Sequence, residues 1–251
     1  MYIDTEGIIF RQIKTVNGRR MILLFSKKYG KISAGTGISE KGRGKSALAM
    51  RPFTYGKYEL YKNRDSYNIN GAEVIKSYYG IGEDVEKYMA CSYALELTEQ
   101  ILAENAAAPG LFALLVDFFQ VMESRKKRYA TLVLAYQIKA LAVCGHMPHL
   151  DSCVLCGALE DLRFFDVKEG GLVCGKCRSG YNMNDGLIYE VNFGIVDILK
   201  YFLKNPLQRL ERLALDERVE ARLQRLLKLY FEYHLDIRNL KSEGFLLESK
   251  L

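Results

Sequence analysis

The chain has 251 residues, of which 49% are hydrophobic and 26% charged, and its formal net charge is +6. This length and hydrophobic content predict one large domain or two to three small ones with a sizeable buried core. No apolar run approaches the ~20 residues that span a bilayer, and no secretion signal opens the chain, so we expect a soluble, cytoplasmic protein without a membrane partner.

The positive charge is concentrated near the amino terminus. Residues 1–80 hold 15 Lys and Arg against 6 Asp and Glu, whereas residues 81–251 hold 21 against 24. A small basic segment attached to a slightly acidic remainder indicates a polyanionic partner, with nucleic acid as the leading candidate. A solvated basic face without a ligand stays open as the alternative.

Residues 7–76 have the pattern of short β-strands. Turn signals separate five runs rich in β-branched and aromatic residues: IIFRQIK, RMILLFS, YGKISAG, FTYGKYELY and YNINGAEVIK. The first break contains Asn17-Gly18, the strongest short hairpin signal. Five such strands predict a small closed or partly closed barrel, which for a polyanion-binding protein is most often an OB-fold. An SH3-like barrel has the same coarse signature.

A glycine-rich basic loop separates the third and fourth predicted strands. It reads GTGISEKGRGKSAL and carries Lys41, Arg43 and Lys45. It does not match a Walker A phosphate loop, because Ser39 stands where that motif requires glycine. We expect this segment either to close over a nucleic acid backbone or to be a simple disordered loop.

Basic and aromatic side chains are interleaved through the predicted barrel. Cations for the phosphates and rings for the bases are what single-strand binding requires. The candidate DNA-binding residues are Lys14, Arg19, Arg20, Lys27, Lys28, Lys31, Lys41, Arg43, Lys45 and Arg51. The candidate stacking rings are Tyr29, Tyr55, Tyr58, Tyr61 and Tyr67. Roughly half of these rings must face the core, because side chains alternate between the two faces of a strand.

The spacing of apolar residues becomes helical from about residue 82. We expect helices over 83–104, 109–122, 128–144, 191–204 and 216–238. The third of these is apolar nearly all round, which predicts a central helix buried by its neighbours. The pattern therefore predicts a barrel domain over residues 1–80 and an α-helical domain over residues 81–251.

Two CxxC pairs, Cys153 with Cys156 and Cys174 with Cys177, interrupt the helical pattern and are separated by residues 157–173. This spacing fits the template of a structural zinc site whose ligands lie on either side of a hairpin. Four thiolates would close the coordination shell, so we expect one structural Zn²⁺ in an insert at about residues 148–180. Two disulfides are the alternative, but they are rare in a reducing compartment. A thioredoxin-type motif would need one pair on a βαβ unit.

Two further basic groups lie in the helical part. Arg125-Lys126-Lys127-Arg128 joins two predicted helices, and Arg218, Arg222 and Arg225 form a stripe opposite the core face of the last long helix. A solvated face, nucleic acid contact or docking of an acidic peptide would each explain the stripe. The chain shows no catalytic constellation of side chains, so we expect a protein that is not an enzyme.

The order of these parts resembles the RecO family of bacterial recombination and repair proteins over nearly the full length. The segments that carry the likeness are TEGIIF, LLFSKKYGKISAGTG, RPFTYGKYEL, GHMPHLDSCVLCG, GGLVCGKC and RNLKSEGFL. The Gly-His-x-Pro-x-Leu pattern ahead of CxxCG is the most specific of the individual motifs. The chain departs from the family in the basic loop. Many relatives have a run like Ala-Lys-Gly-Ala-Arg where this chain has Gly35-Thr36-Gly37-Ile38 and further polar residues.

The resemblance implies an α+β fold with an N-terminal five-stranded barrel of the OB-fold, followed by an α-helical domain with an inserted four-cysteine zinc hairpin. It also implies binding of single- and double-stranded DNA and annealing of complementary strands. With RecR, such a protein would help RecA to load onto strands coated by single-stranded DNA-binding protein, and we expect it at the nucleoid.

We expect the acidic C-terminal tail of the coat protein to dock at Arg125, Lys126, Lys127 and Arg128, beside apolar helices. Two rival interpretations stay open. One is a zinc-ribbon RNA-binding or transcription-associated factor, and the other is a scaffold that binds only proteins.

Overall fold

A computed structural model describes residues 1–14, 20–38, 44–64, 66–180, 187–191 and 193–244. It contains a five-stranded sheet, several helices and a small three-stranded sheet, which confirms the predicted α+β class. The chain forms two compact units. The first runs from Met1 to Ser124 and takes in the segment that begins at Leu240, and the second runs from Arg125 to Asn239. The domain boundary near residue 80 stays a prediction from the sequence pattern.

The first unit begins with five strands that close into a barrel. They are Tyr2–Lys14 (β1), Arg20–Ser26 (β2), Gly30–Thr36 (β3), Thr54–Lys62 (β4) and Tyr67–Ser77 (β5). Their order is β1-β2-β3-β5-β4, with β4 pairing back onto β1. The β3–β5 pair is parallel and the other four pairs are antiparallel. This arrangement confirms the predicted five-stranded barrel of the OB-fold. The predicted turn at Asn17-Gly18 lies outside the described residues, but the two strands that flank it pair from Gly7–Ser26 to Lys14–Arg20.

Alternation along the strands fills the interior of the barrel. Among the buried core side chains are Ile22, Leu24, Ile32, Leu60 and Ile69. A short helix, Lys45–Ala49 (α1), lies between β3 and β4 and contacts β4 and β5. The hydroxyl of the buried Tyr58 donates to the main-chain oxygen of Ala49 over 2.7 Å, which fixes α1 to the core.

Two long helices complete the first unit. After a 3-10 helix at Tyr79–Glu83 come Val85–Ile101 (α2) and Pro109–Ser124 (α3). The Asp84 side chain caps α2 by accepting from the main-chain N–H of Lys87 at 2.9 Å, a common way to satisfy a free donor at a helix start. Pro109 opens α3, where its missing N–H costs no hydrogen bond. Both helices occur where the sequence pattern predicts them.

The second unit is mainly helical. Its helices are Tyr129–Val143 (α4), Gly175–Arg178 (α5), Phe193–Lys204 (α6) and Glu217–Leu235 (α7), with a 3-10 helix at Leu207–Leu210. Its strands are Leu162–Asp166 (β6), Gly171–Cys174 (β7) and Ile188–Glu190 (β8), which form a sheet in the order β7-β6-β8. Helix α4 is buried along nearly its whole length and packs on α6 and α7, which confirms the predicted central helix. No helix in the described ranges is both long and apolar enough to cross a membrane.

Candidate metal centre and nucleic-acid interface

Four cysteine sulfurs come together in the second unit. The Sγ atoms of Cys153, Cys156, Cys174 and Cys177 all lie within 4.8 Å of one another. A zinc–sulfur bond of about 2.3 Å in a tetrahedron places ligand sulfurs roughly 3.8 Å apart. The Cys156 and Cys174 sulfurs are 3.7 Å apart, so the donor set matches this requirement. The four residues predicted from spacing could therefore hold a metal ion.

The first CxxC pair lies on a tight turn. The N–H of Gly157 donates to the main-chain oxygen of Cys153, and the N–H of Cys153 donates to the main-chain oxygen of Ala158. Each of these hydrogen bonds has a length of 2.8 Å. Gly157 has a φ of +76°, a left-handed conformation that glycine adopts without steric cost. The turn thus presents Cys153 and Cys156 toward the same point.

The second pair lies where β7 passes into α5. Cys174 caps α5, and its sulfur accepts from the N–H of Cys177 at 3.4 Å. The N–H of Val154 donates to the oxygen of Leu172, which ties the first turn to β7. The predicted hairpin between the pairs is present as β6 and β7, with Asp166 opposite Gly171 at its end. The hairpin therefore brings the two CxxC turns side by side.

The pKa values of Cys153 and Cys177 shift in opposite directions. Burial disfavours the Cys153 thiolate, but main-chain N–H donors led by that of Cys174 outweigh it and lower its pKa to about 6. Hydrogen bonds to the neighbouring sulfurs, with Cys156 first, raise the pKa of Cys177 to about 12. Four adjacent thiols resist losing all their protons, because each new thiolate repels the others. A divalent cation would supply the charge that stabilises the fully ionised set.

Cationic side chains lie around the cysteine cluster. Phe164 packs against the small core that contains Cys153 and Cys174. The guanidinium carbons of Arg163 and Arg178 lie 5.9 and 5.8 Å from the centre of the Phe164 ring. Arg163 also forms an ion pair with Asp161 at 2.5 Å, so the charge of this guanidinium is already balanced by a carboxylate.

The structure shows side-chain surroundings for half of the predicted DNA-binding set. Arg19, Lys41 and Arg43 lie outside the described residues, as do the side chains of Lys14 and Lys45. Lys27 pairs with Glu6 at 2.6 Å and Lys28 with Asp4 at 3.5 Å. These are exposed ion pairs of the kind that contribute about 0–1 kcal/mol, so a phosphate could compete for either lysine.

The other three described members of this set are placed differently. Lys31 donates to the main-chain oxygen of Glu99 at 3.0 Å, and Arg20 donates to that of Gly37 at 3.3 Å. Arg51 is exposed in the turn after α1. The predicted basic residues therefore do not form one compact cluster within the described part of the barrel.

The structure separates the candidate tyrosines into core and surface rings. Tyr58 is fully buried, and Tyr29 packs against the barrel core. The Tyr55 hydroxyl donates to Glu6, and its ring lies against Phe112. Tyr61 and Tyr67 are half-exposed near the ends of β4 and β5, and Tyr67 also packs against the barrel core. Hence four of the five predicted rings already have structural roles, and Tyr67 combines its role with partial exposure.

We use the term tyrosine patch for Tyr2, Tyr61, Lys62, Arg64 and Tyr67. Tyr2 is 75% exposed and meets Tyr61 edge to face, with ring centres 5.0 Å apart. The Lys62 ammonium lies 5.5 Å from the centre of the Tyr67 ring. Strand register brings these residues to one end of the barrel, since Tyr2 is opposite Tyr61 and Lys62 is opposite Tyr67. Sequence reasoning missed Tyr2, whose position depends on the pairing of β1 with β4.

The predicted partner-binding run divides into one buried residue and three exposed residues. Arg125 is only 4% exposed, and burial lowers the pKa of its guanidinium. This group donates to the main-chain oxygens of Arg128, Leu210, Glu211 and Leu213 at 2.5 to 3.1 Å. Arg125 is therefore a structural residue, which corrects the expectation that it contacts a partner. Lys126, Lys127 and Arg128 are exposed.

The arginine stripe of α7 borders a concave surface. Arg218, Arg222 and Arg225 are exposed, as the pattern predicts. Arg222 and Arg225 line a groove of about 320 Å³ with an apolar floor that includes Ile195 and Leu226. The Arg225 guanidinium lies 5.6 Å from the centre of the Tyr189 ring, so one cation of the stripe packs on an aromatic face.

Comparisons with known proteins agree with this architecture. The family model described as "Recombination protein O N terminal" matches residues 1–78, and the model "Recombination protein O C terminal" matches residues 82–244. Among curated relatives, "DNA repair protein RecO" of Alkaliphilus metalliredigens is 30% identical, with 96% of this chain and 97% of the relative covered. The protein of that name from Pelotomaculum thermopropionicum is 31% identical, with 96% and 92% covered. The one from Myxococcus xanthus is 28% identical, with 97% and 96% covered. This chain therefore belongs to the RecO family of DNA repair proteins.

Proposed function

We propose that this protein is a DNA repair and recombination mediator that binds single- and double-stranded DNA and anneals complementary strands. In this role it acts with RecR and helps RecA to load onto strands coated by single-stranded DNA-binding protein. Membership of the family and the names of the relatives support a role in repair. We further propose that the protein works at the nucleoid and catalyses no reaction.

The tyrosine patch is the observation that carries this proposal. Tyr2 is exposed and Tyr61 and Tyr67 are half-exposed at one end of the barrel, next to the cations of Lys62 and Arg64. Rings of this kind stack on bases at about 1–3 kcal/mol per base, while neighbouring cations hold the phosphates. Loops at this end of a five-stranded OB barrel, including the one between β4 and β5, are a usual oligonucleotide site.

Stacking of this kind is compatible with annealing. A tyrosine ring contacts the flat face of a base and leaves the base-pairing edge free for a second strand. The remaining barrel cations would offset repulsion between two phosphate backbones, with a salt-sensitive contribution from each contact. These cations would contact phosphates without reading the base sequence. They are Lys14, Arg19, Arg20, Lys27, Lys28, Lys31, Lys41, Arg43, Lys45 and Arg51.

We propose that residues 1–80 form the DNA-binding domain and that residues 81–251 contain the partner contacts. The acidic tail of the coat protein would dock at Lys126, Lys127 and Arg128. Both lysines are exposed, and Arg128 makes an exposed ion pair with Glu217 at 3.0 Å that an acidic peptide could replace. The tail and the DNA would then occupy different surfaces.

For the cysteine cluster we propose one structural Zn²⁺ held by Cys153, Cys156, Cys174 and Cys177. The support is the sulfur spacing, which suits a tetrahedral ion. A shell of four thiolates has no position for a reacting water, so the ion would stabilise the hairpin without taking part in catalysis. Zinc binding and folding of the β6–β7 hairpin would be coupled.

Fluorescence anisotropy tests the main proposal. The full chain would be titrated with single-stranded DNA, duplex DNA and RNA of equal length across a salt series, and annealing of complementary strands would be followed in parallel. We expect DNA binding that weakens as the salt concentration rises. Each phosphate contact should contribute about 0.7–0.9 to the slope of log affinity against log salt concentration. We also expect annealing of complementary strands. A preference for structured RNA without annealing would favour an RNA-binding or transcription-associated factor. Absence of salt-sensitive binding would favour a scaffold that binds only proteins.

A further inference from the structure

The small sheet of the second unit has one covered edge and one edge without a strand partner. At the covered edge, the N–H of Leu172 in β7 donates to the main-chain oxygen of His149 at 2.9 Å, and its oxygen accepts from the N–H of Val154 at 2.8 Å. At the other edge, β8 pairs only with β6 within the described residues. An edge of this kind can pair with the main chain of another extended segment. A fourth strand could therefore be added beside β8.

The hydrogen bonds between β8 and the β6 segment determine which groups of β8 face outward. The N–H of Val191 and the main-chain oxygen of Leu187 are both bonded to that segment, at 2.8 and 3.0 Å. Main-chain groups alternate in direction along an antiparallel strand. The N–H and C=O groups of Ile188 and Glu190 therefore point away from β6, toward the side where an added strand would lie.

An apolar groove, which we call the β8 groove, lies beside this strand. Its floor includes Val191, Ile195 and Leu226, all of which are buried. Its volume of about 320 Å³ is at the lower end of the range of about 300–1,000 Å³ that is usual for ligand sites. This space suits one or two apolar side chains of a partner segment.

The wall of the β8 groove is positively charged. Arg222 and Arg225 line it from α7, where residues three apart lie on one helix face. The Arg225 guanidinium packs on the ring of Tyr189, which places this cation next to β8. Neither arginine forms an ion pair with a residue that the structure describes, and Glu190 supplies the only carboxylate among the described lining residues. An incoming carboxylate would therefore meet an excess of positive charge.

We propose that the β8 groove binds an extended acidic segment of a partner protein, which pairs with β8 as a fourth strand. Main-chain bonds to Ile188 and Glu190 would position the segment, apolar side chains would fill the groove, and carboxylates would pair with Arg222 and Arg225. Strand β8 has only three residues, so the groove and the arginines supply much of the affinity. This is a second partner surface, made of other residues than the basic run before α4.

Two features favour a peptide over a nucleic acid at this surface. The outward N–H and C=O groups of β8 can pair with a peptide main chain in a regular ladder, whereas a phosphodiester backbone offers no donors to the C=O groups. The Glu190 carboxylate would also repel phosphates beside the strand. A peptide can place an apolar or uncharged side chain at that position.

A synthetic peptide tests the role of the arginines. The probe is a fluorescein-labelled peptide of about seven residues, the length of a typical strand, in which glutamate alternates with valine. Its anisotropy is followed as the full chain is added. Arg222→Gln with Arg225→Gln should weaken binding about tenfold, as expected for the loss of charge-assisted hydrogen bonds. Arg209→Gln with Arg212→Gln removes the same charge at two other exposed arginines of the second unit and should change affinity less than about twofold.

Three outcomes of this titration would overturn the proposal. They are failure of the parent protein to bind the peptide, an unchanged affinity in the Arg222/Arg225 variant, and an equal loss in both double variants.

A proline in the edge strand tests the pairing with β8. Glu190→Pro removes an outward N–H and keeps the bonds to β6, a position that proline tolerates in edge strands. Glu190→Ala removes the same carboxylate and keeps the N–H. We expect the alanine variant to bind the peptide at least as tightly as the parent, and the proline variant about tenfold more weakly than the alanine variant. Equal affinities of the two variants, with native circular dichroism, would contradict strand addition.

Amide hydrogen exchange provides a measurement that needs no variant. Saturation of the parent protein with the peptide should slow exchange of the Ile188 and Glu190 amides at least about tenfold, because both would enter a hydrogen-bonded ladder. Unchanged exchange at these two amides would overturn the proposal.

Oligothymidylate tests the nucleic-acid alternative on the same surface. It should not displace the labelled peptide, and Arg218→Gln should leave peptide binding unchanged, because Arg218 belongs to the α7 stripe but does not line the β8 groove. Displacement of the peptide by the oligonucleotide, with an equal loss in the Arg218 variant, would assign the whole stripe to nucleic acid and contradict the proposal.

Discussion

The guanidinium of Arg125 donates a 2.6 Å hydrogen bond to the main-chain oxygen of Leu213, which lies 88 positions later in the chain. The same group also donates to the main-chain oxygens of Leu210 and Glu211. One side chain therefore supplies hydrogen-bond donors to the main-chain oxygens of the turn that leads from the second 3-10 helix toward α7. This buried cation fixes the start of α7 against the segment that precedes α4. It therefore links two parts of the second unit that are far apart in sequence.

Replacement of Arg125 should destabilise the protein strongly. Arg125→Met keeps much of the apolar stem but leaves buried main-chain oxygens without donors, so we expect a loss of about 3–5 kcal/mol in the free energy of unfolding. Lys126→Met is the control on the neighbouring exposed residue and should change stability by no more than about 0.5 kcal/mol. Urea denaturation measures both values. Equal stability of the two variants would contradict the assigned role of Arg125.

Loss of one cysteine of the cluster should remove the metal. We expect the purified protein to contain one zinc per chain and Cys174→Ser to contain much less, since a structural site needs its full set of thiolates. Limited proteolysis should then cut within residues 148–180 before the helices are attacked. Cys144→Ser, which changes a half-buried thiol outside the cluster, should keep its zinc. Elemental analysis that finds no zinc in protein purified without chelators would refute the site.

The tyrosine patch predicts a stacking contribution to single-strand binding. Tyr61→Ala should weaken the binding free energy by about 1–3 kcal/mol per lost base contact and leave the salt slope nearly unchanged, because no cation is removed. Tyr79→Ala is the control, since Tyr79 is a 71% exposed ring that lies outside the patch. Anisotropy titrations at several salt concentrations separate the two effects. The patch is not the binding surface if both variants bind like the parent.

Substitutions in the basic loop should change the salt dependence of DNA binding, whereas loss of a ring from the tyrosine patch should not. Changing Lys41, Arg43 and Lys45 together to Ala should reduce the log–log salt slope by about 0.7–0.9 for each phosphate contact that is lost, and should not alter base preference. The same titrations provide the measurement, with Tyr61→Ala as a comparison that affects stacking alone. An unchanged slope and affinity would move the phosphate contacts to another surface, and Arg218, Arg222 and Arg225 would be tested next.

The proposed separation of DNA and tail surfaces can be tested by annealing. Lys126→Glu with Lys127→Glu should leave annealing of bare complementary strands intact and abolish annealing of strands coated by single-stranded DNA-binding protein. Lys168→Glu with Lys204→Glu makes the same change in charge at two other exposed lysines of the second unit and serves as the control. An equal response of bare and coated strands would disprove the separation. Undiminished binding of the isolated tail peptide to the Lys126/Lys127 variant would do the same.

The sequence predicted the fold well because its signals are local. Alternating residues and turn signals predict the five barrel strands, and apolar spacing predicts the long helices to within a few residues. The cysteine cluster was also predictable, since the two CxxC turns and the hairpin between them are encoded within one short segment. Strand β8 was missed because its three residues, Ile188–Glu190, are too few to show a pattern.

Features that depend on distant partners were not predictable in the same way. Arg125 belongs to a run of four basic residues, which is typical of a solvated surface, and its burial depends on oxygens more than 80 positions away. Tyr2 joins the patch only because β1 pairs with β4. The sorting of the barrel tyrosines likewise follows strand register, which the composition of a strand does not reveal.

The parallel pairing of β3 with β5 has a consequence for how the barrel opens and closes. It runs only from Ala34–Tyr67 to Thr36–Ile69, and it joins strands separated by a long connection, so its closure carries a larger entropic cost than that of the neighbouring hairpins. We therefore expect this seam to form late during folding and to be the first part of the barrel to exchange amide hydrogens under native conditions. Tyr67 of the tyrosine patch belongs to this seam, so the patch would lie beside the pair of strands that we expect to separate first.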